Sequence, residues 1–575
     1  MAITGGNDTI IGGDKEEGLI DLLKGNDSFY GINSIYSVFG NAGDDTIICG
    51  FGEDTLNGGD GDDSLVGGFG IDLLSFADPF QGVSQGVSVD MSRRRSFGSG
   101  NDRFAEIERV EGGAGNDSIL GDHSSNTLDG SGGNDTLSGG LGDDSLQGNS
   151  GINLLSYADL TNSSQGVSVS LSIKRSFGAA GNDTISSMQN VLGGAGNDLI
   201  VGDFAANTLD GSKGNDTLSG DGGNDSLQGG AGTDWISYAD LALSFEGVTV
   251  NLATGRNFGS GGNDSFAGFE NVAGGAGNDS ILGDDGRNVL HGGRGDDRLN
   301  GGNGNDTLSG GAGNDTLAGG NGTDWASYAS ATGAVTVNLG AGTSSGADGN
   351  DSLTGIEHIL GANFADSLLG GNGTDQTLSG EAGNDTLVAG GGISQDLNGG
   401  NGADSLQGGN GVSQYLDGEA GNDTLVAGVG AYQYLHGGDD ADSLQGGNGG
   451  GQYLSGDAGN DTLVAGVGGG QALHGGNDAD SLQGGTGANQ YLYGDAGNDT
   501  LVAGGSGYQG LYGGDGADSL QGGNGAFQGI YGEAGNDMIR AGTGQDQFID
   551  GGAGDDVILV GNVTVADILA LFPFS

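Results

Sequence analysis

Aspartate is the residue whose spacing could do chemistry in this chain. In the last third it recurs every nineteen residues, at Asp366, Asp385, Asp404, Asp423, Asp442, Asp461, Asp480, Asp499, Asp518, Asp537 and Asp556. Earlier the interval is nine: Asp45, Asp54, Asp63 and Asp72; Asp135 and Asp144; Asp216, Asp225 and Asp234; Asp297, Asp306, Asp315 and Asp324. Asp8, Asp27, Asp102, Asp117, Asp183, Asp198, Asp264, Asp279 and Asp351 hold the same place in more isolated repeats. An apolar residue follows two positions after each, as Leu425 follows Asp423. Carboxylates at a fixed interval form a column of hard oxygen donors. Such a column suits a hard cation. Asx turns would also explain Asp beside Gly, but they do not require an uninterrupted column. Asn126, Asn153, Asn207 and Asn288 replace the carboxylate; they keep an oxygen, lose the charge, and are expected to bind weakly or only to close the turn.

A second column interleaves with the first after residue 366. Gln376, Gln395, Gln414, Gln433, Gln452, Gln471, Gln490, Gln509, Gln528 and Gln547 are also nineteen apart. A primary amide both donates and accepts, so this edge predicts an amide ladder that needs no ion. Aromatic residues flank it. Tyr415, Tyr434, Tyr453 and Tyr491 follow Gln directly, and Tyr493, Tyr512 and Tyr531 lie three beyond. Strand alternation points these rings outward, as possible surface contacts or as rings that simply stabilise the sheet by stacking. Thr386, Ser405, Thr424 and Ser443 form a hydroxyl column, a weaker candidate for ice or glycan because Thr is common in strands.

The elements that must position these columns follow from the repeat. Each nineteen-residue unit has two arms, of nine and ten residues, with Ala389, Gly408 or Ala427 as the extra one. Each arm is a Gly-rich loop and a short strand, and two arms make one flattened turn with the apolar residue inward. Before residue 366 a longer module is superimposed, marked by LSFAD (74–78), LSYAD (155–159), ISYAD (236–240) and ASYAS (326–330). Inside it the frame breaks for segments such as GVTVNLATGRNFGSGGND, whose alternation predicts strand. The expected divisions are N-terminal capping turns over 1–44, a roll with four modules over 45–365, a regular nineteen-residue roll over 366–556, and a C-terminal cap and secretion signal over 557–575.

GGAGNDSIL (112–120) and GGNGNDTLS (301–309) resemble the nonapeptide Gly-Gly-x-Gly-x-Asp-x-apolar-x of RTX, or hemolysin-type, repeat proteins. The resemblance covers nearly the whole chain. It implies an all-β, calcium-stabilised parallel β-roll or β-solenoid with 18–19 residues per turn, each ion sitting between successive loops and held by the thirty-three Asp named above. Stacked about 4.8 Å apart, those carboxylates would repel one another strongly without it. One ion per vertical pair gives roughly 20–30 calcium ions, or about +40 to +60 in charge, against a net −62.

Composition agrees. The chain has 135 Gly, two Pro, and 77 acidic against 15 basic residues; low apolar content with such charge ordinarily means disorder, so a cation must change the outcome. The charge excludes nucleic acid as a partner. No apolar run is long enough to span a bilayer, and the first residues lack a cleavable signal. The single Cys49 reads as a buried thiol. Arg93, Arg94 and Arg95 form the one basic cluster and are expected to pair with surrounding acid or to meet an anionic glycan or lipid. There is no His-Glu-x-x-His, nucleophile elbow or phosphate loop, and His436 and His474 lie two turns apart. The expected protein is not an enzyme, because the repeats leave no segment to house one. It is expected to be secreted through type I machinery and to self-associate in a cell-surface layer or fibril array, as repeat-only surface-fibril proteins do, supporting surface motility in some. The alternative is a calcium-dependent adhesin whose Tyr or Thr/Ser face grips cell-surface polysaccharide.

Overall fold

The computed structural model describes residues 5–13, 18–77, 85–239 and 246–560. Asp78 and Asp240 of the module motifs lie outside these, as does 561–575, which holds most of the expected C-terminal cap and secretion signal. The chain falls into two units, Met1–Ile281 and Leu282–Ser575. Each is a parallel β-solenoid.

In the first unit, strands of mostly three residues alternate between two sheets, so each pairs in parallel with the strand one turn on. Thr46–Ile48 pairs with Ser64–Val66, Thr46 opposite Ser64, while Ser37 lies opposite Thr55 in the other sheet. The middle residue of each strand turns inward and the flanking ones outward. Leu56 and Leu74 are therefore buried in one file and Ile47 and Leu65 in the facing one. Three excursions interrupt the stacking. In the first, Ser88–Asp90 and Arg95–Phe97 pair antiparallel, Asn101–Ala105 returns against the latter, and Arg103 then sits parallel to Ser64 of the preceding turn. Val167–Ser170 with Arg175–Gly178 and Val248–Asn251 with Arg256–Gly259 repeat the design. These are the strands that alternation predicts.

Among its described residues the second unit has one such excursion, Val335–Asn338 with Thr343–Gly346. Beyond it the turns are regular: Thr386 lies opposite Ser405 and Gln395 opposite Gln414. Leu387, Leu406, Leu425 and Leu444 fill one side of the core and Leu397, Leu416, Leu435 and Leu454 the other. Strand spacing of about 4.8 Å leaves the loops almost no room. Gly421 has a φ of 133°, and a Cβ there would strike the carbonyl oxygen of Gly402 one turn back. Only glycine satisfies both conditions. Each turn thus buries few large apolar residues, and what closes the loops matters more than it does in a thick-cored domain.

Candidate metal centre

Most loops of the first unit, and those along one edge of the regular turns, end on an Asp just before the next strand, and that Asp turns inward. Its Oδ1 accepts the backbone N–H of the Asp one turn earlier. Asp385 N donates to Asp404, Asp404 N to Asp423 and Asp423 N to Asp442, all at 2.7 Å. In the first unit Asp27 and Asp45 donate in the same way at 2.7 Å. Asp8 and Asp556 stand at the ends of such columns.

The second carboxylate oxygen is left over. Oδ2 is buried without a hydrogen-bond partner in Asp45, Asp54, Asp63 and Asp72, and again from Asp385 through Asp537 at every nineteenth residue. It faces a hollow that only glycine allows. A Cβ on Gly418 would land inside contact distance of both Asp423 Oδ2 and the carbonyl oxygen of Gly437 in the next turn. Gly40 repeats this with Asp45 and Gly58, and Gly456 with Asp461 and Gly475. A buried, unpaired carboxylate is costly, and its pKa reports the strain. Burial first, then neighbouring carboxylates of the column, push Asp63 and Asp385 up to about 7 and Asp442 up to about 8, against the lowering effect of the donated N–H.

These observations test whether calcium fits. The orphaned oxygens are hard, anionic and buried, and those of Asp45, Asp423 and Asp461 share their hollow with a main-chain carbonyl from the adjacent turn, which is the donor chemistry calcium takes. Among the described residues no three His, Cys, Asp or Glu converge, so main-chain oxygens must supply much of the set. The Oδ2 atoms of the column and the carbonyls of Gly such as Gly437 would hold the ions, which bring neutralising charge and a cross-link between turns.

Not all thirty-three aspartates present a free oxygen, contrary to the sequence expectation. At the excursions Oδ2 is already taken: Ser96 Oγ donates to Asp102 at 2.8 Å, Ser176 Oγ to Asp183 at 2.7 Å and Ser344 Oγ to Asp351 at 2.5 Å. The buried hydroxyls of Tyr157 and Tyr328 reach the last two at 3.4 and 3.0 Å. Asp117, Asp198, Asp279 and Asp366 close on their own loop, accepting at Oδ2 the N–H of Gly113, Gly194, Gly275 and Ala362 at 2.6–2.8 Å. Asn126, Asn207 and Asn288 make the same closure with an amide oxygen. Asp264 differs again. Its N–H donates to Asn257 Oδ1 at 2.5 Å while its Oδ2 has no partner.

Sequence reasoning missed one set. Glu108, Glu270 and Glu357 accept the N–H of Asp72, Asp234 and Asp324 through Oε2 at 2.8–2.9 Å. Gln189 does the same for Asn153. The signal was present: Glu108-Arg-Val110 and Glu270-Asn-Val272 keep the acid–x–apolar spacing with a longer acid.

The Gln edge is built otherwise than predicted. Its amides bond chiefly to backbone. Gln414 Nε2 donates to Gly409 O at 2.7 Å, and its Oε1 accepts Gly428 N–H at 2.9 Å. Gln376, Gln395, Gln433, Gln452, Gln471, Gln490, Gln509, Gln528 and Gln547 donate to the Gly five residues before in the same way. Amide-to-amide bonds occur at Gln471–Gln452, Gln490–Gln471 and Gln528–Gln509, at 3.0–3.3 Å. The reason is geometric: a side chain that caps the loops above and below has little reach left along the axis.

Outside this edge lie the rings. Tyr493, Tyr512 and Tyr531 stack at 4.8 and 5.0 Å, nearly parallel. Tyr415, Tyr434 and Tyr491 are exposed. Tyr432, Tyr434, Tyr453 and Tyr491 wall a shallow trough of about 310 Å³ over Gly451, Gly470 and Ala472. His436 and His474 face Asp457 and Asp495 at 3.6 and 3.3 Å. Cys49 is buried, and burial pushes its thiol up, so it is inert. No helix among the described residues is long and apolar enough to cross a membrane.

Compared with known protein families, the chain matches the RTX calcium-binding nonapeptide repeat over more than half its length, at residues 39–74, 98–155, 190–236, 264–326, 360–412, 415–433, 474–506, 511–526 and 530–548. Comparison with curated proteins finds no match.

Proposed function

Because the chain belongs to the RTX calcium-binding nonapeptide repeat family, whose members are typically secreted, we propose that it is a secreted structural protein. Its calcium-loaded solenoid is itself the working part, and copies associate into a cell-surface layer or extracellular fibril array. The observation that carries this reading is the repetition of one Gly-framed carboxylate hollow along the turns of both units. Repeat solenoids of this family are typically non-enzymatic. Export by type I machinery fits the chemistry: where calcium is scarce, the acid columns repel and the chain stays threadable; millimolar calcium outside folds it, in the range where extracellular modules bind.

The test is negative-stain electron microscopy of the purified chain in millimolar calcium, with a chelated control. Fibres or sheets that form only with calcium support the layer. Discrete single particles in calcium count against it. A second reading, calcium-dependent binding of polysaccharide, is favoured by the Tyr-walled trough over Gly451 and Gly470. It predicts retention on a glycan array that Tyr434→Ala with Tyr491→Ala abolishes.

A further inference from the structure

The excursions of the first unit carry outward residues that the calcium columns do not use. In each, the inward residue of the second strand, Ser96, Ser176 or Asn257, serves the neighbouring Asp. The residues on either side point to solvent. They are Arg95 and Phe97, Arg175 and Phe177, and Arg256 and Phe258, all exposed. The three phenylalanines keep 44%, 43% and 55% of their surface in water. A single exposed ring is ordinary on a protein surface; what sets these three apart is that each recurs at the same hairpin place beside an exposed arginine.

The charge is as uneven as the aromatics. Of the fifteen Lys and Arg in the chain, seven lie in these three excursions: Arg93, Arg94, Arg95, Arg103, Lys174, Arg175 and Arg256. Arg93 pairs with Asp90 at 2.9 Å. Arg95, Arg175 and Arg256 lie within 4.0 Å of no carboxylate among the described residues. Arg94 and Lys174 occupy the left-handed corner before the second strand, with φ of 56° and 60°. Gly255 and Gly342 fill that corner in the third and fourth excursions. Bulky bases held where glycine suffices are not explained by the fold.

We propose that the Arg–Phe hairpins are the contacts through which one copy of this chain binds the acidic outer face of another. The proposal rests on the layer reading and supplies its contacts. Charge complementarity selects the partner. The second unit carries an exposed acidic row, Glu381, Glu419, Asp457, Asp495 and Glu533, spaced by thirty-eight residues, every second turn. Glu381 and Glu419 also accept from Ser379 and Asn398, and Asp457 and Asp495 face histidines, so the row is held in place yet open to solvent. Guanidinium forks suit such carboxylates, and the neighbouring Phe supplies the apolar area that exposed ion pairs lack.

The arrangement also dictates what forms. The first and third hairpins belong to one sheet of the first unit and the second hairpin to the other. Each copy therefore offers Arg–Phe contacts on both faces. Basic hairpins meeting an acidic row make a heterologous contact, which propagates unless a rotation closes it. Several weak contacts in parallel give the avidity a layer needs.

The fourth hairpin supplies the control. It pairs in the same register as the third, with Thr343 and Ser345 where the third has Arg256 and Phe258. The full chain carrying Arg95→Thr, Arg175→Thr, Arg256→Thr, Phe97→Ser, Phe177→Ser and Phe258→Ser should keep its calcium-dependent circular dichroism. Its pelletable fraction in millimolar calcium should fall about tenfold. A second variant, neutralising the row with Glu381→Gln, Glu419→Gln and Glu533→Gln, should weaken assembly in the same direction, as should raised salt. A hairpin variant that pellets like the wild type overturns the proposal. So does one that pellets normally but loses binding to vesicles containing anionic phospholipid, which would assign the hairpins to an anionic surface. A wild-type chain that stays dispersed in calcium would instead refute the layer reading itself.

Discussion

At the scale of the residue, two side chains solve one problem in different ways. A loop stacked on its copy leaves backbone groups facing inward, and Asp423 and Gln433 each close such a loop. Asp accepts an N–H with one oxygen and leaves the other needing a cation. Gln spends its amide on a glycine carbonyl and a glycine N–H and needs nothing further. Gln433→Ala should therefore destabilise the calcium-saturated chain by about 1–3 kcal/mol, the cost of stranding buried backbone groups. Calcium stoichiometry should not change. Denaturant titration in saturating calcium, with parallel calorimetric counting of ions, checks both halves. A lower ion count would show that the Gln edge also takes metal.

At the scale of the element, the excursions separate aspartates that look alike in sequence. Asp183 and Asp351 are satisfied by hydroxyls, whereas Asp404 and Asp423 keep an orphan oxygen. Asp183→Asn or Asp351→Asn should leave the calcium count unaltered. Asp404→Asn and Asp423→Asn should each lower it by about one ion, as read by titration with a calcium indicator. Equal losses from both pairs would refute the distinction. The contrast also shows what was legible in the sequence. The nineteen-residue interval from Asp366 to Asp556 was enough to place the strands, the inward Leu file and the column, because every turn repeats one local solution. Which Asp oxygens are free was not legible, since that depends on partners far along the chain: Tyr157 lies twenty-six residues before Asp183. The Gln pairing failed for a related reason. Periodicity shows that the amides are stacked but not that a glycine carbonyl five residues away is the nearer acceptor.

At the scale of the whole molecule, protons and calcium compete for the same oxygens. The column carboxylates have raised pKa values in the folded state, about 7 for Asp385 and Asp480 and about 8 for Asp442, with burial the leading cause. In the unfolded chain they titrate near 4. Between those values the folded, calcium-free chain binds more protons than the unfolded one, so its stability rises as pH falls. This is the reverse of a salt-bridged carboxylate. Protonation also reduces the repulsion expected from a net −62. Chelated protein should therefore gain β structure as pH is lowered from about 8 to about 5, while the calcium needed for half-folding rises over the same interval because ionised ligands become scarce. Circular dichroism across a calcium–pH grid measures both trends. A chelated chain as disordered at the acidic end as at the alkaline end would mean that removing charge is not sufficient, and that the ion's cross-link between turns, rather than its neutralising charge, is what lets the solenoid close.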